Sequence, residues 1–293
     1  VVHRQRSVIR NLILAGLLIA ATAGVVTIVL YDHLTGQLPW KVESHVGSSM
    51  LSIDSKVLQE EREFQVWLPV KYDSTLKYPV IYALDGSSQG AAFVNAINVL
   101  SLGQIAPAAI VVGIPNLSDE TRQRDLTPPM MKQDVDKPDS PAGEGDKFLQ
   151  FIETELIPYV EENYPASGRR AFSGNSRGGL LVMHSLITHP DLFHARFCFS
   201  TPFWRQENLL LNELDKFLQT RDTLKTFLYA SAGEKETENI KQGANSLVGV
   251  FQLRAPFGLS WQVDSTPGGD HQTNAERSIP GALAMWLKHP DPD

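Results

Sequence analysis

The sequence has 293 residues, of which 42% are hydrophobic and 20% charged, the composition of a globular chain with one large buried core and an appendage. Acidic residues outnumber basic ones 33 to 26, and without three N-terminal arginines the balance is 33 to 23. An acidic chain with no basic run is a poor nucleic-acid binder. The single cysteine, Cys198, excludes an internal disulfide and a cysteine-rich zinc site, and its β-like surroundings read as a buried, inert thiol.

In chain order, Arg4, Arg6 and Arg10 precede an uncharged apolar run over residues 12–30. At about 1.5 Å per residue, such a run just crosses a hydrocarbon core of ~30 Å. The one-sided arginines place the N-terminus in the cytoplasm. Residues 1–31 are therefore expected to be a single-pass anchor in a bacterial inner membrane, with the rest on the periplasmic side. A cleaved signal peptide is the rival, because Ala21-Thr22-Ala23 resembles a cleavage site; the protein would then be soluble and periplasmic or secreted. Residues 32–47, with Gly36, Pro39 and Gly47, read as a linker, and 48–293 as one catalytic domain.

Strands are predicted at 49–58, 62–70, 78–85, 108–114, 170–174, 196–200, 225–231 and 259–265. Helices are predicted at about 89–101, 146–163, 177–189, 206–219, 237–253 and 272–288. Several strands are continuous apolar runs, as in a sheet covered on both faces. Alternating strands and helices argue for a mostly parallel eight-stranded α/β sheet with an antiparallel start. Pro280 is expected to start, kink or divide the last helix. Residues 116–145 stand apart: polar, with four prolines and no periodicity, a stretch expected to be functional or disordered.

The sharpest chemical signal is Gly174-Asn175-Ser176-Arg177-Gly178, followed by Gly179. A nucleophilic serine has to project from a tight strand-to-helix turn, and flanking glycines let the backbone close around it. A strand pattern precedes the motif and an apolar helix follows it, so Ser176 is the candidate nucleophile. Of eight histidines, His271 lies in a turn between the last strand and the last helix, where a loop histidine can reach the serine as its base. The acid is expected after the seventh strand: Glu236 is favoured, with Glu234, Asp264 and Asp270 also available. Two backbone N–H groups are needed for an oxyanion. Arg177 supplies one candidate. Ser87 supplies the other, in a loop where Gly86 permits close approach.

These segments resemble the esterase D / enterochelin-esterase-like family of α/β hydrolases over about residues 45–288. The resemblance rests on Val66-Trp-Leu-Pro, Tyr78-Pro-Val-Ile-Tyr-Ala-Leu-Asp-Gly86, Arg122-Gln-Arg-Asp-Leu-Thr-Pro128, Gly145-Asp-Lys-Phe-Leu149, Glu155-Leu-Ile-Pro-Tyr159, the serine elbow and Ser200-Thr-Pro-Phe-Trp204. It implies an α/β-hydrolase fold and hydrolysis of a small carboxylic ester through an acyl-enzyme, without metal or organic cofactor. Siderophore and aryl esters are among the family's substrates. Ser176 and His271 match the family nucleophile and base, while some relatives are described as using a Ser–His pair, which leaves the role of Glu236 open. Arg122, Arg124 and Trp204 are candidates for the substrate pocket; the alternative is a loop held by pairing of arginine with Asp125. The Arg177 side chain could contact an anionic substrate or face solvent. Two other classes compete: acyl transfer on the same triad, and a non-catalytic binding protein on a hydrolase scaffold.

Overall fold

A computed structural model describes residues 47–288 apart from Pro138. The expected anchor at 1–31 and nearly all of the linker at 32–47 lie outside the described residues. Among the described residues no helix is long and apolar enough to cross a membrane.

Eight strands form one sheet: β1 (Ser48–Ser55), β2 (Glu60–Trp67), β3 (Tyr78–Leu84), β4 (Ile110–Ile114), β5 (Ala166–Asn175), β6 (Ala195–Phe199), β7 (Thr223–Gly233) and β8 (Phe257–Thr266). Their order across the sheet is β1-β2-β4-β3-β5-β6-β7-β8. β2 pairs antiparallel with both β1 and β4; every other pair is parallel. The antiparallel start and the parallel remainder agree with the sequence reading.

The helices are α1 (Gly86–Leu102), α2 (Asp119–Asp125), α3 (Gly145–Phe151), α4 (Ile157–Asn163), α5 (Arg177–Thr188), α6 (Arg205–Gln219), α7 (Glu238–Arg254) and α8 (Asn274–Lys288). α1 and α8 pack together on one face of the sheet. There Ile81, Ala83 and Val111 meet Phe93, Ile97, Leu283 and Trp286. The alternate residues Val80, Tyr82, Leu84, Ile110 and Val112 point the other way, into a core shared with α3 to α7. This period-two division of continuously apolar strands is what a doubly covered sheet requires.

Three local expectations are corrected. The helix foreseen over 146–163 is continuous but interrupted by a π-helical segment at Ile152–Leu156. Pro158 lacks an N–H and its ring crowds the carbonyl four residues back. The chain widens by one residue there, so that Ile157 N–H donates to Ile152 O. Of the outcomes expected of Pro280, starting and dividing the last helix are excluded, since α8 runs through it. The 116–145 segment contains α2, which the sequence reading missed. Ser118 caps it reciprocally with Thr121, a capping-box arrangement built with threonine in place of the usual glutamate.

Arg196 in β6 is fully buried and burial pulls its pKa down to about 9. Its guanidinium donates to Ser185 O, His189 O and Pro190 O at the C-terminal end of α5. A cation at that pole suits the helix dipole, and the contacts fix the far end of the helix that follows Ser176.

Candidate active site

Ser176 joins the C-terminal end of β5 to the first turn of α5, with φ 53° and ψ −119°. Such a conformation is costly for a residue with a Cβ and persists only where its surroundings over-determine it. Here the surroundings are glycines. A Cβ on Gly174 would collide with the backbone of Gly178, and one on Gly179 with the Thr201 side chain. Gly174 and Gly179 are thus packing requirements of the turn, whereas a Cβ on Gly178 would meet only ordinary contacts, at 3.5 Å and beyond.

The opposite partner comes from the loop after β8. Gly268 takes φ 64°, and Asp270 accepts hydrogen bonds from Gln272 N, Thr273 N and Thr273 Oγ1. The Thr273 bonds hold the Asp270 carboxyl below its ordinary pKa. Asn274 then fastens the loop to the ends of β6 and β7, donating from Nδ2 to Ser200 Oγ at 2.9 Å and to Ser231 O at 3.2 Å. His271 is carried between these two staples. Its Nε2 lies 3.0 Å from Ser176 Oγ and its Nδ1 3.1 Å from Glu236 Oε2.

Glu236 follows β7, with its side chain 1% exposed against 42% for His271. Its other oxygen, Oε1, is buried without a hydrogen-bond partner among the described residues, so His271 is the one group drawn to this carboxylate. The other acids are occupied elsewhere. Glu234 accepts from Gly268 N at 2.9 Å, Asp270 staples its own loop, and Asp264 bonds Gln262.

The serine and histidine open into a cleft of about 410 Å³ lined by Asp85, Ser87, Ser88, Gln89, Asn116, Arg122, Asn175, Ser176, His271 and Gln272. Every lining residue is polar. Ser87 is the second residue of α1 and Arg177 the first of α5. Their N–H groups are therefore among those that have no acceptor within their own helix, and helix N-termini favour negative charge. Asn175 Oδ1 and Gln89 Oε1 are buried without hydrogen-bond partners among the described residues.

Of the residues expected to line the pocket, Arg122 does so, but its guanidinium is taken up by Asp85, at 2.6 Å from Nε and 2.9 Å from Nη2. Arg124 is not in the lining. It pairs with Glu60 at 2.6 Å and with Asp125 at 2.7 Å, joining buried Arg62, which bonds Glu60 at 3.0 Å and also Asp125. Pairing with Asp125 was the alternative raised by the sequence, and for Arg124 it is the outcome. Trp204 is also outside the lining and is 37% exposed. Gly86 is buried, and a Cβ there would strike the backbone of Gly113 and Ile114; its close approach is to β4 rather than to a ligand. The Arg177 side chain is half-buried and bonded within the protein. Its Nη1 donates to Thr127 Oγ1 at 2.7 Å and to Gln133 O at 2.6 Å, and burial, with Arg205 and Arg122 nearby, lowers its pKa to about 10.

Asp85, Asn116, Asn175, Gln272 and Asn274 were not singled out from the sequence. Asp85 had a signal, its place beside Gly86 at the end of a strand. A lone asparagine has none.

Residues 55–253 match the model of the Esterase family, described as "Putative esterase". The chain is 30% identical over 233 residues to the ferri-bacillibactin esterase BesA of Bacillus subtilis, covering 73% of this chain and 80% of that protein. It is 32% identical over 157 residues to the siderophore triacetylfusarinine C esterase of Aspergillus fumigatus, a match spanning 49% of this chain and 50% of the fungal protein. An IroE-like serine hydrolase from Shewanella oneidensis superposes with a TM-score of 0.75 at 27% identity, over 83% of this chain and 80% of that one. With the strand order and the serine turn already in place, the chain belongs to the Esterase family of carboxylic-ester hydrolases, among its enterochelin-esterase-like members.

Proposed function

We propose that this protein hydrolyses siderophore esters through an acyl-enzyme formed on Ser176. The observation that carries the reading is His271 bridging Ser176 Oγ at 3.0 Å and Glu236 Oε2 at 3.1 Å. In the proposed reaction His271 Nε2 takes the hydroxyl proton as Oγ bonds to the ester carbonyl carbon. The negative charge on the former carbonyl oxygen is held by the N–H groups of Ser87 and Arg177. Breaking the ester C–O bond releases the alcohol, which takes the proton back from His271 Nε2. Water then gives a proton to the same nitrogen as its oxygen bonds to the acyl carbon; collapse breaks the bond from that carbon to Oγ, which takes the proton back from Nε2, so that the acid leaves and Ser176 and His271 are restored. Glu236 keeps Nδ1 protonated and offsets the imidazolium charge at each proton transfer.

The siderophore substrate is supported by two curated relatives, each named for a siderophore, and by a cleft lined by polar residues, which suits a hydrated ester better than a long acyl chain. The test is a fluorophosphonate label together with an ester panel that includes a trilactone siderophore and a simple aryl ester. Ser176 should carry the label, and Ser176→Ala should lose the label and lower kcat by about 10⁴-fold or more. Label on another serine, or activity retained by the variant, overturns the reading; turnover of the aryl ester alone overturns the siderophore assignment.

The same proposal includes the anchor at residues 12–30, supported by its arginine flank and unbroken apolar run. Retention in membranes after a carbonate wash checks it, and release by that wash would refute it.

A further inference from the structure

The proposed oxyanion site is assembled from two separate loops. Ser87 N–H belongs to the first turn of α1, after β3; Arg177 N–H opens α5, directly after the elbow at the end of β5. β3 and β5 are neighbouring parallel strands paired as far as Ala83 with Ser173, so their ends lie side by side; both donors sit beyond the last paired residues, and a hole works only if both address one oxygen.

Asp85 and Arg122 lie between the two loops. Asp85 is the N-cap residue of α1 and adopts a left-handed conformation, φ 53° and ψ 41°, but its carboxylate makes no capping bond to that helix. Caps are the ordinary use of an aspartate there, and left-handed backbone is a cost for any residue with a side chain. The carboxylate is turned outward instead, accepting from Asn116 Nδ2 at 2.6 Å and from Arg122 Nε and Nη2 at 2.6 and 2.9 Å. On its other side Asp85 Oδ2 packs 3.5 Å from where a Cβ of Gly178 would stand, in the first turn of α5. Arg122 Nη2 also reaches Asn175 O at 3.5 Å, the carbonyl just before Ser176. One guanidinium thus touches the residue before the first donor loop and the residue before the nucleophile.

The platform under Arg122 is itself rigid. Two residues on, Arg124 and Asp125 lock into Glu60 and Arg62 of β2, with Arg62 and Asp125 both buried. A planar, bidentate guanidinium paired in this way fixes direction as well as distance, which a point charge does not.

We propose that the Asp85–Arg122 pair is a positioning device that sets the spacing of the two oxyanion donors, rather than a receptor for substrate charge. The inference rests on the assignment of Ser176, Ser87 and Arg177 made above. It predicts that Asp85→Asn, which keeps shape and removes charge, and Arg122→Gln lower kcat alike, by about tenfold to a hundredfold, because a misplacement on the order of 1 Å costs that much. KM should stay within about twofold, and the double variant should be little worse than either single one, as expected for two residues acting as one unit. The rate of labelling by a small fluorophosphonate should fall by the same factor, since its phosphoryl oxygen needs the same two donors while the probe reaches no remote part of the cleft.

A rise in KM confined to Arg122→Gln, with labelling rate unchanged, would make Arg122 a substrate contact and overturn the proposal. So would wild-type kcat in either folded variant. If Asp85→Asn does not fold, Asn116→Ala removes one of the three bonds to the same carboxylate; it should show a smaller drop in kcat and labelling rate together, and wild-type values for both would overturn the proposal. Activity surviving in Ser176→Ala would instead bring down the reading of the site itself.

Discussion

The two walls of the cleft are held by different physics. The wall formed by the elbow and the histidine loop is set by backbone geometry. Glycines at 174 and 179 admit neighbours that a Cβ would exclude, and Asp270 and Asn274 staple a short turn to the sheet. The wall formed by the β3–α1 turn and α2 is set by charge, through Asp85 with Arg122 and through Glu60, Arg62, Arg124 and Asp125. The first wall depends on contacts fixed by strand ends. The second depends on ion pairs between residues far apart in the chain, which set direction as well as distance.

The contrast can be broken first on the catalytic side. Glu236→Gln should lower kcat by roughly 10²–10⁴-fold with little change in thermal stability, because the amide no longer holds the right histidine tautomer or offsets its charge. Glu234→Gln, which loses the acceptor for Gly268 N, should stay within about threefold of wild type by comparison. Steady-state kinetics on one ester decide between the two. A Glu236→Gln rate near wild type would leave a Ser–His pair in charge.

A smaller effect on rate, but a real one on stability, is expected on the charged side. Arg62→Met leaves Asp125 buried with Arg124 as its remaining partner. Breaking a buried pair on one side costs about 3–5 kcal/mol when no partner remains. With Arg124 still in place the loss should be nearer ~2 kcal/mol, read as a lowered midpoint in urea unfolding. If Arg62→Met unfolds at the wild-type midpoint, the network contributes nothing to holding α2.

The catalytic wall was the legible one. Its marks are local: a strand, a glycine-flanked serine, an apolar helix, and a histidine in the last turn. Each is a short stretch whose spacing follows from steric rules at neighbouring residues. The strands were legible for the same reason, and their predicted ends differ from the observed ones by only a few residues. The helix α2 was not, because seven residues with a polar cap carry too little periodicity to separate a short helix from a loop.

What the sequence by itself determined is the strand–turn–helix elbow around Ser176 and the alternation that builds a parallel sheet, both properties of contiguous residues. Only the tertiary structure decided which acid faces His271, since Glu234 and Glu236 sit two residues apart on one turn and differ in what lies opposite. It also decided what Arg122 pairs with. Its partner Asp85 is 37 residues away, and a surface arginine awaiting an anion carries the same local pattern as one already paired. Charge pairs of that separation are set by how strand ends and loops converge, and that convergence is a property of the folded sheet rather than of any stretch of chain.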